Sequence, residues 1–421
     1  MKLTFLNLKS YILKEGSLQR NVFFMILGNG FFAFSQWVQL SVISKYTSIE
    51  ILGFYTLALS IVSPIFMLSS LQLRTILVTD SKSEFNFNDF FNLRLITNLI
   101  SLIVILGVLV FIHNKNILLI TLILTCQKVF ESFSELFNSK QQKIERIDIL
   151  ATSLFLKGLG AIISLFIGLF LFNSLTVGLS FIVISYLLVI CFYDYRKYSV
   201  KQVGKIKILF NNSVLKKLFF RGLPLGIVML IISLNANVSK YFLEAYVGTE
   251  AQAVYSSISY LLIVGVFILD AFGQAFVPRL NIYYWNKEAI KFKKLAFLFI
   301  TGSFFIGLIL YICSSLFGET ILNLLFNKRI AQYASFLASY MLVSILIFIA
   351  SSLGYVLTSI REFKIQPYIN GTVLLFNLAL SFLLIKSYGL DGTIIVLGIC
   401  FSIQIIMTVI ALFKGLKKNL S

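Results

Sequence analysis

Four basic side chains lie inside long apolar segments of this sequence, where charged groups are rare. They are Arg94, Lys128, Lys157 and Lys240. If such a segment crosses a membrane, a charge near its centre costs about 2.5 to 3.5 kcal/mol on insertion scales, so it normally faces a partner or a water-filled cavity. Lysine and arginine donate charge-assisted hydrogen bonds to anions, above all to phosphate. The four residues therefore indicate a place where an anion can bind inside a membrane.

Polar residues accompany each of these charges at helical spacing. Residues three or four apart share one face of a helix, and the longest such stripe surrounds Lys128. It consists of Thr121, Thr125, Lys128, Glu131, Glu135, Asn138 and Gln142. Shorter stripes contain the other three charges, namely Arg94, Asn98 and Ser101, then Ser153, Lys157 and Ser164, and finally Ser233, Asn237, Lys240 and Glu244. A further acidic residue, Asp270, lies four residues before Gln274.

The stripes allow two interpretations. In the first, the polar groups serve only to pack helices, for example through ion pairs of Lys128 with Glu131 or of Lys240 with Glu244. In the second, basic groups line a cationic, water-filled cavity. We favour the cavity for the charged residues. Basic groups on four helices drawn from both halves of the chain are better explained by one shared cavity than by unrelated packing pairs.

Arg74 joins the candidate anion-binding residues from a different position. It closes the second apolar segment and, together with Arg94, lies near a membrane boundary. The ordinary alternative is an arginine that snorkels to the interface or marks the cytoplasmic side. The predicted substrate-binding residues are therefore Arg74, Arg94, Lys128, Lys157 and Lys240.

The composition shows what kind of protein must hold these residues. Of the 421 residues, 58% are hydrophobic and 13% are charged, and the mean hydropathy of +0.93 is far above that of a soluble globular domain. A spanning helix needs about 20 mostly apolar residues, so we predict an all-α integral membrane protein with about 12 transmembrane helices. The predicted segments are 21–43, 49–72, 91–112, 117–139, 150–171, 176–194, 219–243, 252–276, 295–317, 333–358, 366–385 and 392–413. The first segment exceeds the core of a signal peptide, and we expect it to be retained.

Cysteine and histidine show no pattern typical of a metal site, a disulfide or a catalytic group. Cys126, Cys191, Cys313 and Cys400 lie far apart in apolar stretches, whereas zinc sites and disulfide frameworks need paired or closely spaced residues. The single histidine, His113, has no carboxylate in its loop. We therefore expect no metal, no cofactor and no catalytic residue.

The basic residues are divided unequally between the two sets of loops. The net charge is +19, and 27 of the 36 lysines and arginines fall in the two tails and every second loop, against five in the other loops. By the positive-inside rule, the richer side is cytoplasmic. We predict that both termini face the cytoplasm and that the excess charge serves topology and anionic lipid headgroups rather than nucleic acid.

The chain shows signs of two similar halves. Its longest cytoplasmic connection, residues 195–218, predicts an N-terminal six-helix bundle at 1–200 and a C-terminal one at 201–421. A short motif recurs at an offset of 200 residues, in the outer turn between the first and second helix of each half. Its members are Tyr46, Glu50 and Tyr55 in the first half and Tyr246, Glu250 and Tyr255 in the second. Transporters often bind their substrates between such repeats.

Together these features resemble the polysaccharide flippases (Wzx type) of the multidrug/oligosaccharidyl-lipid/polysaccharide exporter superfamily. The resemblance in hydropathy and topology covers nearly the whole chain, and its local motifs are densest near the N-terminus. The motifs are Gly28-Asn29, Gln36-Trp37, Ser48 to Ala58, Leu71 to Arg74 and Thr79-Asp80, followed in the second half by Asn237 to Phe242, Tyr255 and Pro278-Arg279.

The resemblance implies both a fold and a function. It implies two six-helix bundles around a central cavity that opens alternately to each side of the bacterial cytoplasmic (inner) membrane. The implied substrate is an undecaprenyl diphosphate-linked oligosaccharide repeat unit of O-antigen or capsule, moved to the outer leaflet with energy from an ion gradient or the membrane potential. Glu131, Glu135 and Asp270 are then candidates for ion coupling, unless they only pair within their helices. Expected partners are this lipid-linked oligosaccharide, membrane lipids, a glycan polymerase and a chain-length regulator.

Two other functions remain open. A drug or small-molecule antiporter of the same superfamily would favour acidic cavity residues for cationic drugs. Apart from Glu50 and Asp194 at the ends of spans, the predicted spans contain four candidate basic residues and three acidic ones. A membrane enzyme, such as an oligosaccharide polymerase or an acyltransferase, usually needs a large outer loop or an intramembrane histidine, and this sequence contains neither. The sequence does not specify the sugar.

The predicted orientation can be tested by cysteine labelling in a variant without the four native cysteines. A cysteine in place of Lys45 or Lys386 is expected to react with a membrane-impermeant maleimide added to intact cells, because both positions lie in outer loops. A cysteine in place of Lys205 is expected to react only after the cells are permeabilised. The opposite pattern would overturn the orientation.

Overall fold

The structure of this protein, a computed structural model, describes residues 18–80, 84–201, 208 and 212–420. Nearly all of these residues are helical, and no β-strand occurs among them. The predicted all-α class is confirmed. Some of the basic residues used to predict the orientation lie outside the described ranges, namely Lys2, Lys9, Lys14, Lys82, Lys205 and Lys207.

The described residues of the first half of the chain form long helices together with two short ones. The helices are α1 Leu18–Tyr46, α2 Ile49–Ser70, α3 Leu73–Thr79, α4 Phe87–Leu109, α5 Lys115–Lys143, α6 Ile147–Phe170, α7 Leu175–Val189 and α8 Tyr195–Lys201. A π-helical turn, Ile190–Asp194, joins α7 to α8.

The second half continues in the same way. Its helices are α9 Asn212–Tyr246, α10 Thr249–Tyr260, α11 Leu262–Trp285, α12 Ala289–Leu325, α13 Lys328–Ala331, α14 Ala334–Ser359, α15 Gln366–Leu380 and α16 Lys386–Leu420. A 3-10 turn, Phe363–Ile365, precedes α15, and a second π-helical turn, Ser381–Ile385, follows it.

Ten stretches of the described residues are long and apolar enough to cross a membrane. They correspond to the predicted segments from the second onward, except that the last two segments share one 55-residue stretch, Phe363–Lys417. Gly389 has a φ of +57° and interrupts the helical path of that stretch, so it holds two helices. The first predicted segment lies in α1, which is not among the ten because Asn29, Gln36 and Gln39 lower its hydropathy. These spans agree with the prediction of about twelve.

The described residues group into two compact units. Unit 1 contains the residues through Thr47 together with Ile61–Leu230, and unit 2 contains Ser48–Ser60 together with the residues from Ile231 onward. Helices α2 and α9 therefore each contribute one end to unit 1 and the other end to unit 2. The division of the chain into bundles at 1–200 and 201–421 stays a prediction.

Small residues allow helices of unit 1 to approach closely, as is common where helices pack in a membrane. Helix α6 meets α7 at Gly168, where a Cβ atom would lie 2.2 Å from the backbone N and Cα of Gly178. It meets α1 at Ala151, whose Cα would lie 2.7 Å from a Cβ on Gly28. Larger side chains at these contacts would push the helices apart.

An apolar cluster in unit 1 holds the short helix α3 against α4, α5 and the start of α9. Its buried members are Leu71, Leu73, Ile76, Leu77, Phe85, Phe90, Leu93, Leu136, Leu215 and Leu218. Helix α9 approaches the turn before α3 through Gly222 and Gly226, where added Cβ atoms would lie 2.7 Å from Leu71 O and 2.6 Å from Leu68 O. The cluster thereby fixes the position of Arg74 on α3.

Charged residues attach the connection between α3 and α4 to its surroundings. The Asp80 carboxylate accepts hydrogen bonds from the backbone N–H groups of Glu84 and Phe85 at 3.0 and 3.1 Å. Burial raises the pKa of Asp80, but these hydrogen bonds and the positive charge of Lys143 together lower it more, so that it lies below its ordinary value. Hydrogen bonds from Lys217 and Arg221 lower the pKa of Glu84 in the same way. The connection is thus held ionically to the start of α9.

Side-chain amides join helices of unit 2 through backbone carbonyl groups. Asn235 Nδ2 of α9 donates to Asn370 O at 3.1 Å, and Asn377 Nδ2 of α15 donates to Asn235 O at 3.0 Å. The repeated motif contributes Tyr255, which is buried and packs edge-on against Tyr340 at a ring-centroid distance of 5.8 Å. These neutral polar groups serve helix packing.

The contact between α6 and α7 predicts a pair of stability effects. Gly168→Ala is expected to destabilise the folded protein by about 1 to 3 kcal/mol, because its methyl group must displace the backbone of Gly178. Gly107→Ala is the matched control, since a Cβ there meets none of the described atoms within 4 Å. Thermal unfolding in detergent should show a lower midpoint for the first variant and an unchanged or slightly higher one for the second. Equal midpoints would contradict the close contact of the two helices.

Candidate functional site

A cavity of about 350 Å³ lies within unit 1. Helices α1 to α6 and α9 contribute to its wall. The polar and charged lining residues are Asn29, Ser63, Ser70, Gln72, Arg74, Arg94, Lys128, Glu131, Ser132, Glu135, Asn138 and Lys157, and the apolar ones are Phe32, Phe66, Met67, Leu150, Leu154 and Met229. Six of the eight residues that the sequence predicts as substrate-binding or ion-coupling groups thus share one space.

The charged residues of the cavity are mainly basic. Four consecutive helices each supply one, with Arg74 on α3, Arg94 on α4, Lys128 on α5 and Lys157 on α6. Two carboxylates, both from α5, accompany them. The lining therefore has a net formal charge of +2.

One ion pair of the cavity lies along a single turn of α5. Lys128 Nζ is 2.7 Å from Glu131 Oε2, and the two side chains are 26% and 25% exposed. This is the intrahelical pair that the sequence offered as an alternative to a cavity. In the structure the pair is formed and its two members also line the cavity.

The second ion pair links α4 to α5. Arg94 Nη2 donates to Glu135 Oε2 at 3.2 Å. The arginine side chain is only 1% exposed, whereas the glutamate is 36% exposed. Arg94 Nε is buried and has no hydrogen-bond partner in the described part of the chain. The guanidinium group therefore retains a donor that the glutamate does not use.

A backbone break positions Arg74. Leu71 and Gln72, between α2 and α3, have φ angles of 47° and 50°. Residues other than glycine adopt this left-handed conformation rarely and at a cost, so the surrounding structure must hold them there. Burial of Leu71 in the apolar cluster provides that hold. Beyond the break, Arg74 Nε and Nη2 donate to Gln142 Oε1 at 3.1 and 3.0 Å, which fixes the guanidinium group at the cavity wall.

Lys157 reaches a buried carboxylate through a hydroxyl group. Lys157 Nζ donates to Ser134 Oγ at 2.7 Å, and Ser134 Oγ donates to Asp194 Oδ2 at 2.5 Å. Lys157 and Asp194 are each 2% exposed. Asp194 is absent from the predicted site, because it ends the sixth apolar segment, where a charge is expected to face the membrane surface. The signal available in the sequence was a lone carboxylate in an otherwise apolar segment.

The polar stripe of α5 has two parts with different roles. Near its start, the hydroxyl groups of Thr121 and Thr125 donate to carbonyl groups of their own helix, at 2.7 Å each. From Lys128 onward, the stripe faces the cavity and the neighbouring helices. Asn138 Nδ2, for example, donates to Ser153 Oγ of α6 at 3.2 Å. Helical spacing alone does not separate these two parts.

Lys240 and Asp270 lie in unit 2 and do not line this cavity. Lys240 Nζ donates to Asn237 Oδ1 at 3.0 Å, and an ion pair with Glu244 is not among those of the described residues. Asp270 Oδ1 accepts a hydrogen bond from the hydroxyl group of Tyr355 at 2.6 Å. The structure thus separates these two predicted residues from the other six.

A family model described as polysaccharide biosynthesis protein matches residues 18–283. The match covers more than half of the chain and includes every residue that lines the cavity. The chain belongs to this family. The resemblance to polysaccharide flippases that the motifs indicated is confirmed.

A curated relative and several solved structures agree with this assignment. The chain is 28% identical over 382 residues to the capsular polysaccharide biosynthesis protein CapF of Staphylococcus aureus, and the comparison covers 90% of this chain and 95% of CapF. An inward-facing MATE family multidrug resistance transporter of the MOP superfamily is similar in structure, with a TM-score of 0.72, 14% identity and 94% of each chain covered. The lipid II flippase MurJ, in an inward closed conformation, has a TM-score of 0.70 and 16% identity over 95% of this chain and 90% of MurJ.

The solved structures establish the fold, since their sequence identity is low. This protein is therefore a multi-pass membrane protein of polysaccharide biosynthesis with the fold of MOP-superfamily transporters. The two solved structures named above with this fold are a multidrug resistance transporter and a lipid II flippase.

The pair formed by Arg94 and Glu135 predicts an asymmetry in stability. Glu135→Gln is expected to destabilise the protein by about 1 to 3 kcal/mol, because it leaves the buried guanidinium group without its counter-charge. Glu131→Gln is the control and should cost less than about 1 kcal/mol, because that pair is partly exposed. Adding Arg94→Gln to Glu135→Gln should restore part of the loss. Thermal unfolding in detergent measures the stability of each variant. Equal losses for both glutamate variants would contradict the expectation that the buried Arg94 depends on its partner more than the partly exposed Lys128 does.

Proposed function

We propose that this protein moves an undecaprenyl diphosphate-linked oligosaccharide from the inner to the outer leaflet of the bacterial cytoplasmic membrane by alternating access. The observation that carries the proposal is the convergence of basic side chains from four helices on one cavity of unit 1. A diphosphate that joins a lipid to a sugar has one negative charge on each phosphate group. The net formal charge of +2 in the cavity lining complements it.

The ion pairs of the cavity suit an anion that must bind and then leave. Before substrate binds, Glu131 and Glu135 partly neutralise Lys128 and Arg94, which lowers the cost of holding these charges in a buried place. A phosphate oxygen can replace a carboxylate oxygen as acceptor, because arginine and lysine bind both groups with similar geometry. Binding then exchanges one ion pair for another, which keeps the affinity moderate and permits release.

The volume of the cavity indicates which part of the substrate it holds. Pockets for small ligands have volumes of about 300 to 1,000 Å³. A cavity of about 350 Å³ accommodates a diphosphate and the groups next to it, but not a lipid chain and an oligosaccharide. We place the diphosphate in this cavity and the lipid chain in the bilayer.

The comparisons support a glycan substrate and a flipping mechanism. CapF is described as a capsular polysaccharide biosynthesis protein, and MurJ as a lipid II flippase. We extend both descriptions to this chain, with a repeat unit of capsule or O-antigen as its cargo. A glycan polymerase and a chain-length regulator are the partners that such a pathway would require.

We place the protein in the inner membrane with both termini in the cytoplasm, on the basis of the loop charges. We also propose that Lys240 binds anionic groups in unit 2, and that Glu131, Glu135 and Asp270 take part in coupling to an ion gradient or the membrane potential. The support is their intramembrane position and, for the two glutamates, their place in the cavity wall.

A small-molecule antiporter is the second candidate, and one observation favours it. The cavity contains two carboxylates of the kind that a cationic drug would need, and a multidrug transporter shares the fold. Both carboxylates are held by basic side chains, at 3.2 and 2.7 Å. A cationic drug would have to displace an internal cation and enter a cavity with a positive net charge. The anion is therefore the better fit.

The flippase proposal predicts the effect of removing one cavity charge. Lys128→Ala is expected to lower surface glycan at least tenfold, because a hydrogen bond to a charged group contributes about 1.5 to 3 kcal/mol. Lys240→Ala is expected to act in the same direction. Lys115→Ala, at the exposed start of α5, is the matched control and should leave glycan display normal. Flow cytometry with a glycan antibody, on cells that lack their own copy of the gene, measures the effect.

Each variant must also reach the membrane in normal amount, which immunoblotting of the membrane fraction checks. Normal glycan display in both the Lys128 and Lys240 variants would refute the assignment of these residues. Normal display together with lost drug resistance would favour the antiporter.

A further inference from the structure

A buried polar chain extends from the cavity wall into unit 1. Lys157 Nζ, Ser134 Oγ and Asp194 Oδ2 are joined in that order by hydrogen bonds of 2.7 and 2.5 Å. Lys157 lines the cavity, whereas Asp194 lies behind it. Asp194 Oδ1 is buried, and the hydroxyl group of Ser153 is a second hydrogen-bonding neighbour of this carboxylate. One end of the chain can therefore meet a bound substrate, and the other end is a carboxylate whose counter-charge is Lys157.

The backbone places Asp194 by a local change of helix type. Ile190–Asp194 forms a π-helical turn at the end of α7, and such turns are frequent at functional sites. Phe192 in the same turn is 61% exposed, while Asp194 is 2% exposed. A buried carboxylate is costly in an apolar domain, so a turn that directs it inward points to a use for it.

We propose that Asp194 takes up one proton when an anionic group of the substrate binds Lys157, so that the cavity couples anion binding to proton binding. The inference rests on the function proposed above, since it needs an anion in the cavity. Once a phosphate binds the Lys157 ammonium group, two anions compete for one cation. A buried carboxylate that loses its counter-charge is more stable as the neutral acid.

The hydrogen-bond chain provides a route for the proton. Lys157 passes a proton to Ser134 Oγ while Ser134 passes its own proton to Asp194 Oδ2, and Lys157 then takes a proton from a hydronium ion that reaches the cavity from solvent, which leaves water. The products are a neutral carboxylic acid, an unchanged hydroxyl group and a positively charged ammonium group. One proton has been taken from solvent, and the reverse sequence returns it when the anion leaves.

The charged groups around Lys157 have partners of their own. Glu131, Glu135 and Arg74 act electrostatically on Lys157. Each glutamate pairs with another basic residue, at 2.7 and 3.2 Å, and Arg74 donates to Gln142. The ring of a phenylalanine on α1, which carries no charge, lies 6.0 Å from the Lys157 ammonium group. None of these groups replaces Lys157 as the counter-charge of the buried carboxylate.

On the side of Asp194 away from Lys157, the neighbouring titratable group is Tyr193 of the same turn. Phenols are neutral near pH 7, so Tyr193 supplies no counter-charge. Tyr193 in turn faces Arg146 and Asp148 at the start of α6, which pair with each other at 2.9 Å. The charge state of Asp194 therefore depends on Lys157.

Isothermal titration calorimetry of the purified full-length protein in detergent tests the coupling. The probe is farnesyl diphospho-N-acetylglucosamine, whose diphosphate diester does not titrate near neutral pH. Titrations in buffers of different ionisation enthalpy count the protons taken up, expected to be about one for the wild-type protein and about zero for Asp194→Asn. Where free Asp194 is ionised, the wild-type Kd should rise up to about tenfold per pH unit, whereas the Kd of Asp194→Asn should stay constant.

Glu131→Gln and Glu135→Gln are the controls for other proton acceptors in the cavity. Both should still take up about one proton, whatever their affinity. Uptake that survives Asp194→Asn, or that is lost in either glutamine variant alone, would overturn the assignment. If Asp194→Asn does not fold, the wild-type proton count decides, because binding without proton uptake overturns the coupling and leaves the flippase proposal standing. Absence of probe binding by the wild-type protein would overturn both.

Discussion

A charge inside an apolar membrane domain needs a partner, and the interior of unit 1 is organised around this requirement. Each of the four basic residues of the cavity comes from a different helix, yet each meets a side chain of α5. The partners are Glu131, Ser134, Glu135 and Gln142. Helix α5 thus serves as a common polar wall, against which α3, α4 and α6 place their charges.

Two charged groups of unit 1 owe their positions to irregular backbone segments rather than to regular helix. The left-handed residues Leu71 and Gln72 precede α3 and its arginine, and the π-helical turn Ile190–Asp194 carries a carboxylate inward. Close helix contacts such as that of Gly168 with Gly178 hold neighbouring helices of unit 1 together. The cavity therefore combines a fixed frame with charged groups whose partners can be exchanged.

This combination connects structure to the proposed transport. A cavity with only basic residues would be costly when empty and would hold a diphosphate too tightly to release it. The glutamates of α5 moderate both effects, because they occupy the cations until the anion arrives. In the proposed coupling the buried Asp194 competes with the anion for Lys157, and it takes up a proton when the anion binds. Membership of the polysaccharide biosynthesis family is consistent with such an anionic, lipid-linked cargo.

The sequence by itself determined the protein class, nearly all the spans and the polar face of each helix, because hydropathy and helical spacing are local properties of the chain. It also predicted six of the residues that share the cavity. Only the tertiary structure decided which faces meet. Arg94 forms an ion pair with Glu135 on the next long helix, and Lys157 is joined to Asp194 by hydrogen bonds through a serine. Lys240 lies in the other unit. Periodicity states which way a side chain points from its own helix, but the helix it meets depends on packing between distant parts of the chain.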